Sequence, residues 1–67
     1  MSIGQVLVVG HRYRFTLRRG DVVIGIYRGR QKFIRGSDYY MISITKGKRR
    51  GYAAGYSVES VIDIEDA

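Results

Sequence analysis

The sequence predicts an all-β protein in which five short antiparallel strands close into one small barrel. The chain has 67 residues, which is enough for a single domain. Apolar and polar residues alternate along several short segments, as they do in half-buried strands. Nine glycines and no proline leave glycine to make the turns between these segments. Closure into a barrel is expected because an open sheet of this size would leave two strand edges exposed.

The first two strands form the clearest predicted hairpin. From residue 11 to 17, aromatic and aliphatic side chains occupy every second position from Tyr13 onward, with polar side chains between them. Residues 18–21 are polar and include a glycine, which favours a tight turn. The second strand is predicted at residues 22–28.

The rest of the chain continues the same pattern of short segments and glycine turns. The predicted elements are, in order, a loop or distorted strand end at 29–37, a strand at 38–45, a charged turn at 46–51, a strand at 52–58, a 3₁₀ turn at 59–60 and a closing strand at 61–65. Residues 3–9 are predicted to be extended because they are rich in valine, which favours strands over helices.

The second predicted strand is apolar on both faces. Val23 and Tyr27 lie on one face with Gly25 between them, whereas Val22 and Ile24 belong to the other face, together with residue 26. If the first face lines the core, the second needs cover. Either the N-terminal segment or a neighbouring copy of the chain could supply it.

Charge is distributed unevenly along the chain. Twelve Lys and Arg residues against six Asp and Glu give a net charge of +6. Residues 1–52 carry 12 − 2 = +10, and residues 53–67 carry four acids and no base, a net of −4. The excess of positive charge indicates a polyanionic partner, with nucleic acid before an acidic membrane surface, or else serves solubility alone. The acidic end either lies against the basic body of another copy or is simply solvated.

Several function classes are not expected. The chain has no cysteine for disulfides or thiolate zinc sites, and His11 has no partner for a metal site. Asp63, Glu65 and Asp66 lack the glycine-shaped loop of a calcium site. No apolar run is long enough to span a membrane and the N-terminus has no secretory pattern, so we expect a cytoplasmic protein. Neither catalysis, a cofactor nor a small-molecule substrate is expected.

Two basic clusters and one tyrosine are the candidate nucleic-acid-binding residues, because basic side chains neutralise phosphates and aromatic rings stack on bases. The first cluster belongs to the predicted loop at 29–37 and the second to the turn at 46–51. The candidates are Arg28, Arg30, Lys32, Phe33, Arg35, Lys46, Lys48, Arg49, Arg50 and Tyr56. Alternatively, Phe33 packs into the core and the charges are only solvated. Tyr39 and Tyr52 are further stacking candidates.

Residues 17–27 resemble the first motif of the Sm/LSm and Hfq-type proteins. In that motif an aliphatic residue ends a strand, a glycine follows three positions later and a second glycine lies five beyond the first, as Leu17, Gly20 and Gly25 do here. The matching core positions are Tyr13, Phe15, Leu17, Val23, Gly25 and Tyr27. Residues 55–64 are similar to the second motif. The resemblance implies an SH3-like barrel of the Sm type, a ring of identical subunits, and a ring contact between the fourth strand of one subunit and the fifth of the next.

The chain departs from the family at its RNA-binding positions. The family's Asp and Asn after the second strand are replaced by a longer basic stretch, and Ala54-Gly55-Tyr56 stands where Arg-Gly-Asn or Arg-Gly-Asp is usual. The Lys-His pair of Hfq is also absent. The uridine site is therefore not carried over, and Tyr56 stands where the family holds a base-contacting residue.

Three functions remain open. The first is an Sm-like subunit that forms a homo-oligomeric ring and binds RNA through basic loops. If both basic clusters lie on one rim of such a ring, the copies form a positive annulus. The second is a double-stranded nucleic-acid binder with a KOW or SH3-like barrel. The segment that begins at Arg19 and is followed by Gly29 resembles a KOW segment. The third is a structural ring protein without nucleic-acid binding.

Overall fold

Five strands form one antiparallel sheet in the computed structural model, which describes residues 6–33, 36 and 38–67. The strands are Arg12–Leu17 (β1), Val22–Lys32 (β2), Asp38–Ile44 (β3), Ala53–Ser57 (β4) and Val61–Asp66 (β5), with a 3₁₀ turn at Val58–Ser60 between β4 and β5. Their order in the sheet is β4-β3-β2-β1-β5, and all neighbours are antiparallel. The prediction of five antiparallel strands is confirmed.

The sheet is open, so the predicted closure into a barrel is wrong. Within the described residues β4 pairs only with β3, and β5 pairs only with β1. The 3₁₀ turn connects β4, at one edge of the sheet, to β5, at the other edge beside β1. There the backbone N–H of Arg18 donates to the carbonyl oxygen of Ser60 at 2.7 Å, and β5 continues along β1 from that point. Two strand edges are left where a barrel would have none.

The core lies against one face of this sheet and follows the predicted alternation. Tyr13 and its alternate neighbours in β1 are buried, as are the matching positions of β2 and β3. Aromatic rings meet edge to face in this core, with the ring centroids of Tyr27 and Tyr40 6.1 Å apart. The buried apolar side chains are Tyr13, Phe15, Leu17, Tyr27, Tyr40, Ile42, Ile44, Val61 and Ile64.

β2 is longer than the alternation predicts. The register with β3 shifts between Tyr27 and Gly29, so that Arg28 is an extra residue on the β2 side, and Gly29 has a φ of 118°. Pairing then resumes and continues to Lys32. Of the two alternatives predicted for residues 29–37, a loop or a distorted strand end, the second is therefore correct for residues 29–32, which continue β2 beyond the bulge.

The N-terminal segment closes one end of the core. Residues 3–5 of the predicted extended segment at 3–9 lie outside the described residues, and residues 6–8 have no regular structure before a turn at 9–10. The amide of Val8 donates to the hydroxyl of Tyr13 at 2.9 Å, and Leu7 packs against the core. Residues 6–10 thus lie at the edge of the core, whereas Val22 on the outer face of β2 remains 52% exposed.

Candidate nucleic-acid interface

The two predicted basic clusters lie at opposite ends of the β2–β3 hairpin. Lys32 pairs with Asp38 at one end, and Gly25 pairs with Ile44 at the other, next to the turn at 46–51. Six residues of β3 separate these ends, which is roughly 20 Å at the rise of a strand. The two ends of the hairpin therefore form separate surfaces, with Arg28 lying between them at the bulge, next to Ser43.

The first cluster, which we call the hairpin-end cluster, carries Arg28, Arg30, Lys32 and Phe33; Arg35 lies outside the described residues. Its first two cations already have partners. Arg28 Nε donates to Ser43 Oγ at 2.9 Å. Arg30 pairs with the carboxylate of Asp38 at 3.0 Å, and its guanidinium lies 5.7 Å from the centre of the Tyr40 ring.

Phe33 is neither fully buried nor free at this end of the hairpin. Its side chain is 42% exposed, and its ring meets the edge of Tyr39 with the centroids 4.8 Å apart. One side of Phe33 therefore packs on the protein and the other faces solvent.

The second cluster, which we call the turn cluster, is held by the β3–β4 turn. Gly47 and Gly51 have φ values of 95° and 92°, a conformation that favours glycine. The amide of Gly51 donates to the carbonyl of Ile44 at 2.8 Å and locks the turn. The exposed basic side chains lie just before and between these glycines, and the cluster consists of Lys46, Lys48, Arg49 and Arg50.

A groove runs beside this turn. It has a volume of about 510 Å³ and is bounded by the β1–β2 turn, the β3–β4 turn and β4. Arg49 reaches across it, and its Nη1 donates to the hydroxyl of Tyr56 at 3.3 Å. The lining residues are Leu17, Arg18, Arg19, Arg49, Ala54, Gly55, Tyr56, Ser57 and Ser60.

A second hollow of about 270 Å³ adjoins the first and shares Arg19, Arg49 and Tyr56 with it. Lys46 and Lys48 line this second hollow. The basic residues of the two hollows are Arg18, Arg19, Lys46, Lys48 and Arg49, and their one acid is Asp21. We call the two hollows together the basic groove.

Arg18 and Arg19 are the site residues that the sequence analysis missed. Both lie in the predicted β1–β2 turn and were read only as turn residues. Arg18 donates from Nε and Nη2 to the carbonyl of Glu59, at 3.2 and 2.9 Å, whereas Arg19 pairs with Asp21 at 2.7 Å. Two arginines in a turn of a basic chain were the available signal, but the contact with Glu59 is 41 residues distant in sequence.

Tyr52 and Tyr56 lie on the same side of β4 and its approach, because side chains alternate along a strand. Tyr56 is half-buried against the core, and Tyr52 is 67% exposed. Tyr52 is therefore the more accessible ring, and it adjoins the turn cluster.

Other site classes are less well represented in the described part of the chain. His11 is exposed, with Nε2 3.3 Å from a carboxylate oxygen of Asp66. Over the described ranges, no group of three or more His, Asp or Glu side chains could hold a metal ion. No helix among the same residues has the length and apolar character to cross a membrane.

Comparison of the chain with protein-family models, curated proteins and solved structures finds no match.

Proposed function

We propose that the chain is an Sm-like subunit that assembles with copies of itself into a ring and binds RNA through its basic surfaces. The observation that carries the proposal is the open sheet, whose two edge strands differ in charge. The resemblance of residues 17–27 to the first Sm motif supports the same architecture.

The edge strand β4 is suited to accept another strand. The amide of Ile44 donates to the carbonyl of Tyr52 at 2.8 Å, so the alternation of an antiparallel pair turns the backbone groups of Ala53 and Gly55 away from β3. Neither residue has a bulky side chain. β4 also has no charged residue and no proline, the two features that commonly protect an edge from pairing.

The other edge strand, β5, is acidic. The amide of Ala67 donates to the carbonyl of Arg12 at 3.3 Å, so the backbone groups of Ile64 and Asp66 face away from β1. Pairing β5 with a second β5 would bring acidic residues together, whereas pairing it with the uncharged β4 of another copy would not. Contacts between unlike surfaces repeat head to tail and close into a ring when the rotation allows it.

Light scattering coupled to size-exclusion chromatography tests the assembly. We expect a mass that is a multiple of 7.6 kDa, because each copy satisfies the open edge of the next. Ile62→Lys places a charge on β5 at a side chain that is 46% exposed, and it should yield monomer. The matched control Val22→Lys adds the same charge at a 52% exposed side chain of β2 and should stay assembled. A wild-type monomer at all concentrations up to the millimolar range would rule out the ring.

Fluorescence anisotropy with a labelled single-stranded RNA tests the second half of the proposal. Affinity should fall steeply with salt, because neutralised phosphates release counterions. A salt-independent affinity would contradict a phosphate-driven mode. Preference for duplex RNA together with monomeric behaviour would favour the KOW-like function, and assembly without binding would favour the structural ring.

A further inference from the structure

We propose that the basic groove is the site that holds the phosphodiester backbone of a single-stranded nucleic acid, with Arg19 and Arg49 as its phosphate ligands. This inference rests on the proposed function and makes it more specific. It assigns the phosphate contacts to the groove and not to the hairpin-end cluster, and it predicts that single strands bind in preference to duplexes.

The basic side chains of the hairpin-end cluster and of the groove differ in the groups that they contact. In the hairpin-end cluster, Arg30 is neutralised by Asp38 and is held beside the Tyr40 ring. In the groove, Arg49 donates to the neutral hydroxyl of Tyr56, so its charge has no counter-charge in that contact. Arg18 likewise donates to a neutral carbonyl, whereas Arg19 is paired with Asp21 at 2.7 Å and has to exchange that carboxylate for a phosphate. Five basic side chains against one acid leave the groove lining at 5 − 1 = +4.

The size and the lining residues of the basic groove suit an anionic ligand. The larger hollow has no carboxylate among its lining residues, and its volume of about 510 Å³ lies in the range typical of ligand sites. Arginine guanidinium groups suit phosphate because their planar N–H groups can donate in pairs to its oxygens. Arg19 comes from the β1–β2 turn and Arg49 from the β3–β4 turn, and both line each of the two hollows, so an anion bound in the groove has an arginine available from each turn.

Tyr52 offers an aromatic ring on which a nucleobase can stack. Tyr52 is 67% exposed beside the turn cluster, which leaves its ring open to solvent. A ring of this kind can stack on an unpaired base, but it has no access to the faces of bases stacked within a duplex. Tyr52 does not line the basic groove itself, so a bound strand reaches this ring by continuing past the turn cluster, and the preference for a single strand depends on that path.

The experiment compares two double variants that remove the same charge. Binding of fluorescein-labelled U10 and of a ten-base-pair RNA duplex is measured by anisotropy at several salt concentrations between 50 and 200 mM. Arg19→Gln with Arg49→Gln alters the groove, and Arg28→Gln with Lys32→Gln alters the hairpin-end cluster. Thermal melting of each variant verifies that it is folded, and Arg19→Lys with Arg49→Lys retains the charge in the groove.

We expect the groove variant to bind U10 at least about tenfold more weakly at 50 mM salt and to flatten the log–log salt slope by about 1.4, twice the value of one single-strand phosphate contact. The lysine variant should keep the wild-type slope, and the hairpin-end variant should change little. An equal or larger loss in the hairpin-end variant would overturn the inference and leave the proposed function standing.

Tyr52 gives a separate readout of strand preference. Tyr52→Ala should weaken U10 binding at least about fivefold, whereas Tyr52→Phe retains the ring and should restore it. Tighter binding of the duplex than of U10 would overturn the single-strand assignment. If the wild type binds neither RNA, both the groove and the RNA half of the proposed function fail, and the ring is then judged on light scattering alone.

Discussion

At Gly25 the backbone of β2 lies very close to β3. A Cβ added there would be 2.4 Å from the carbonyl oxygen of Ser43 and 2.6 Å from Cγ2 of Ile42, and the first of these is backbone that cannot move aside. Gly55 differs, because its added Cβ would meet the flexible Met41 side chain, with the sulfur at 3.1 Å. The two glycines therefore look alike in the sequence but carry different constraints.

Gly25→Ala should destabilise the protein by about 1–3 kcal/mol, as other overpacked cores are destabilised. Gly55→Ala is the control and should cost less than about 1 kcal/mol, because Met41 can adopt another rotamer. Urea unfolding followed by circular dichroism measures both. Equal losses in the two variants would show that the close approach of Ser43 to β2 is not what requires glycine.

Tyr27 gives a pH dependence at the same scale. Burial raises the pKa of the Tyr27 phenol above 10.0, although the nearby Arg30 charge partly opposes the shift. The unfolded chain ionises near pH 10, so it loses this proton before the folded chain does. Stability is therefore fully present below about pH 10 and declines as pH rises through the raised pKa.

Tyr27→Phe removes that ionisation. We expect the free energy of unfolding to fall less between pH 8 and pH 11 in the variant than in the wild type, after each is referred to its own value at pH 8. Urea titrations at the two pH values provide the comparison. Identical slopes would mean that the phenol is not shielded by the core.

Among the elements, the 3₁₀ turn connects the two edge strands of the sheet. Arg18 ties this turn to β1 with its backbone N–H and with two side-chain hydrogen bonds to Glu59. Arg19, its neighbour, forms an ion pair with Asp21 within the β1–β2 turn. The two arginines therefore offer a matched comparison of a long-range and a local contact.

Arg18→Met should cost about 1 kcal/mol of stability because it removes hydrogen bonds between distant parts of the chain. Arg19→Met should change stability by less than about 0.5 kcal/mol, as is usual for an exposed ion pair. Hydrogen exchange adds a local readout, since the amide of Val61 should lose protection in the first variant alone. Equal effects from both variants would contradict an anchoring role for Arg18.

The sequence predicts the strands well and their connections less well. Alternation identified the buried positions of β1 because half-buried strands carry that period directly. It ended β2 at residue 28, because the bulge at Arg28 shifts the period and basic side chains on a solvent-exposed strand look like a loop. Closure of the sheet into a barrel was expected because open strand edges are unfavourable. The path of the chain through the 3₁₀ turn depends on contacts such as that of Arg18 with Ser60, which a local sequence pattern does not reveal.

On the scale of the whole molecule, the distribution of charge over the surface can be predicted from the sequence only in part. The +10 and −4 segments follow from counting residues, but the separation of the two basic clusters depends on the register of β2 with β3. Likewise, the basic groove exists only because the two turns that contain Arg19 and Arg49 lie side by side. Surface chemistry that spans several elements requires the fold.

A small domain that depends on its neighbours should melt in a concentration-dependent manner. A chain of this size buries only about 60% of its unfolded surface, so the pairing of open edges would contribute a large share of its stability. We expect the wild-type Tm to rise between 10 and 500 μM in differential scanning calorimetry. The Tm of Ile62→Lys should be the same over this concentration range. A wild-type Tm that does not change with concentration would contradict edge pairing.

β4 is both an open edge of the sheet and a wall of the basic groove. A neighbouring β5 laid along that edge brings its carboxylates toward the same arginines that hold phosphate in our proposal. Subunit pairing and oligonucleotide binding are then thermodynamically linked. The linkage is negative wherever carboxylate and phosphate compete for one guanidinium. Oligonucleotide would in that case loosen the subunit contact by the same factor by which assembly weakens oligonucleotide affinity.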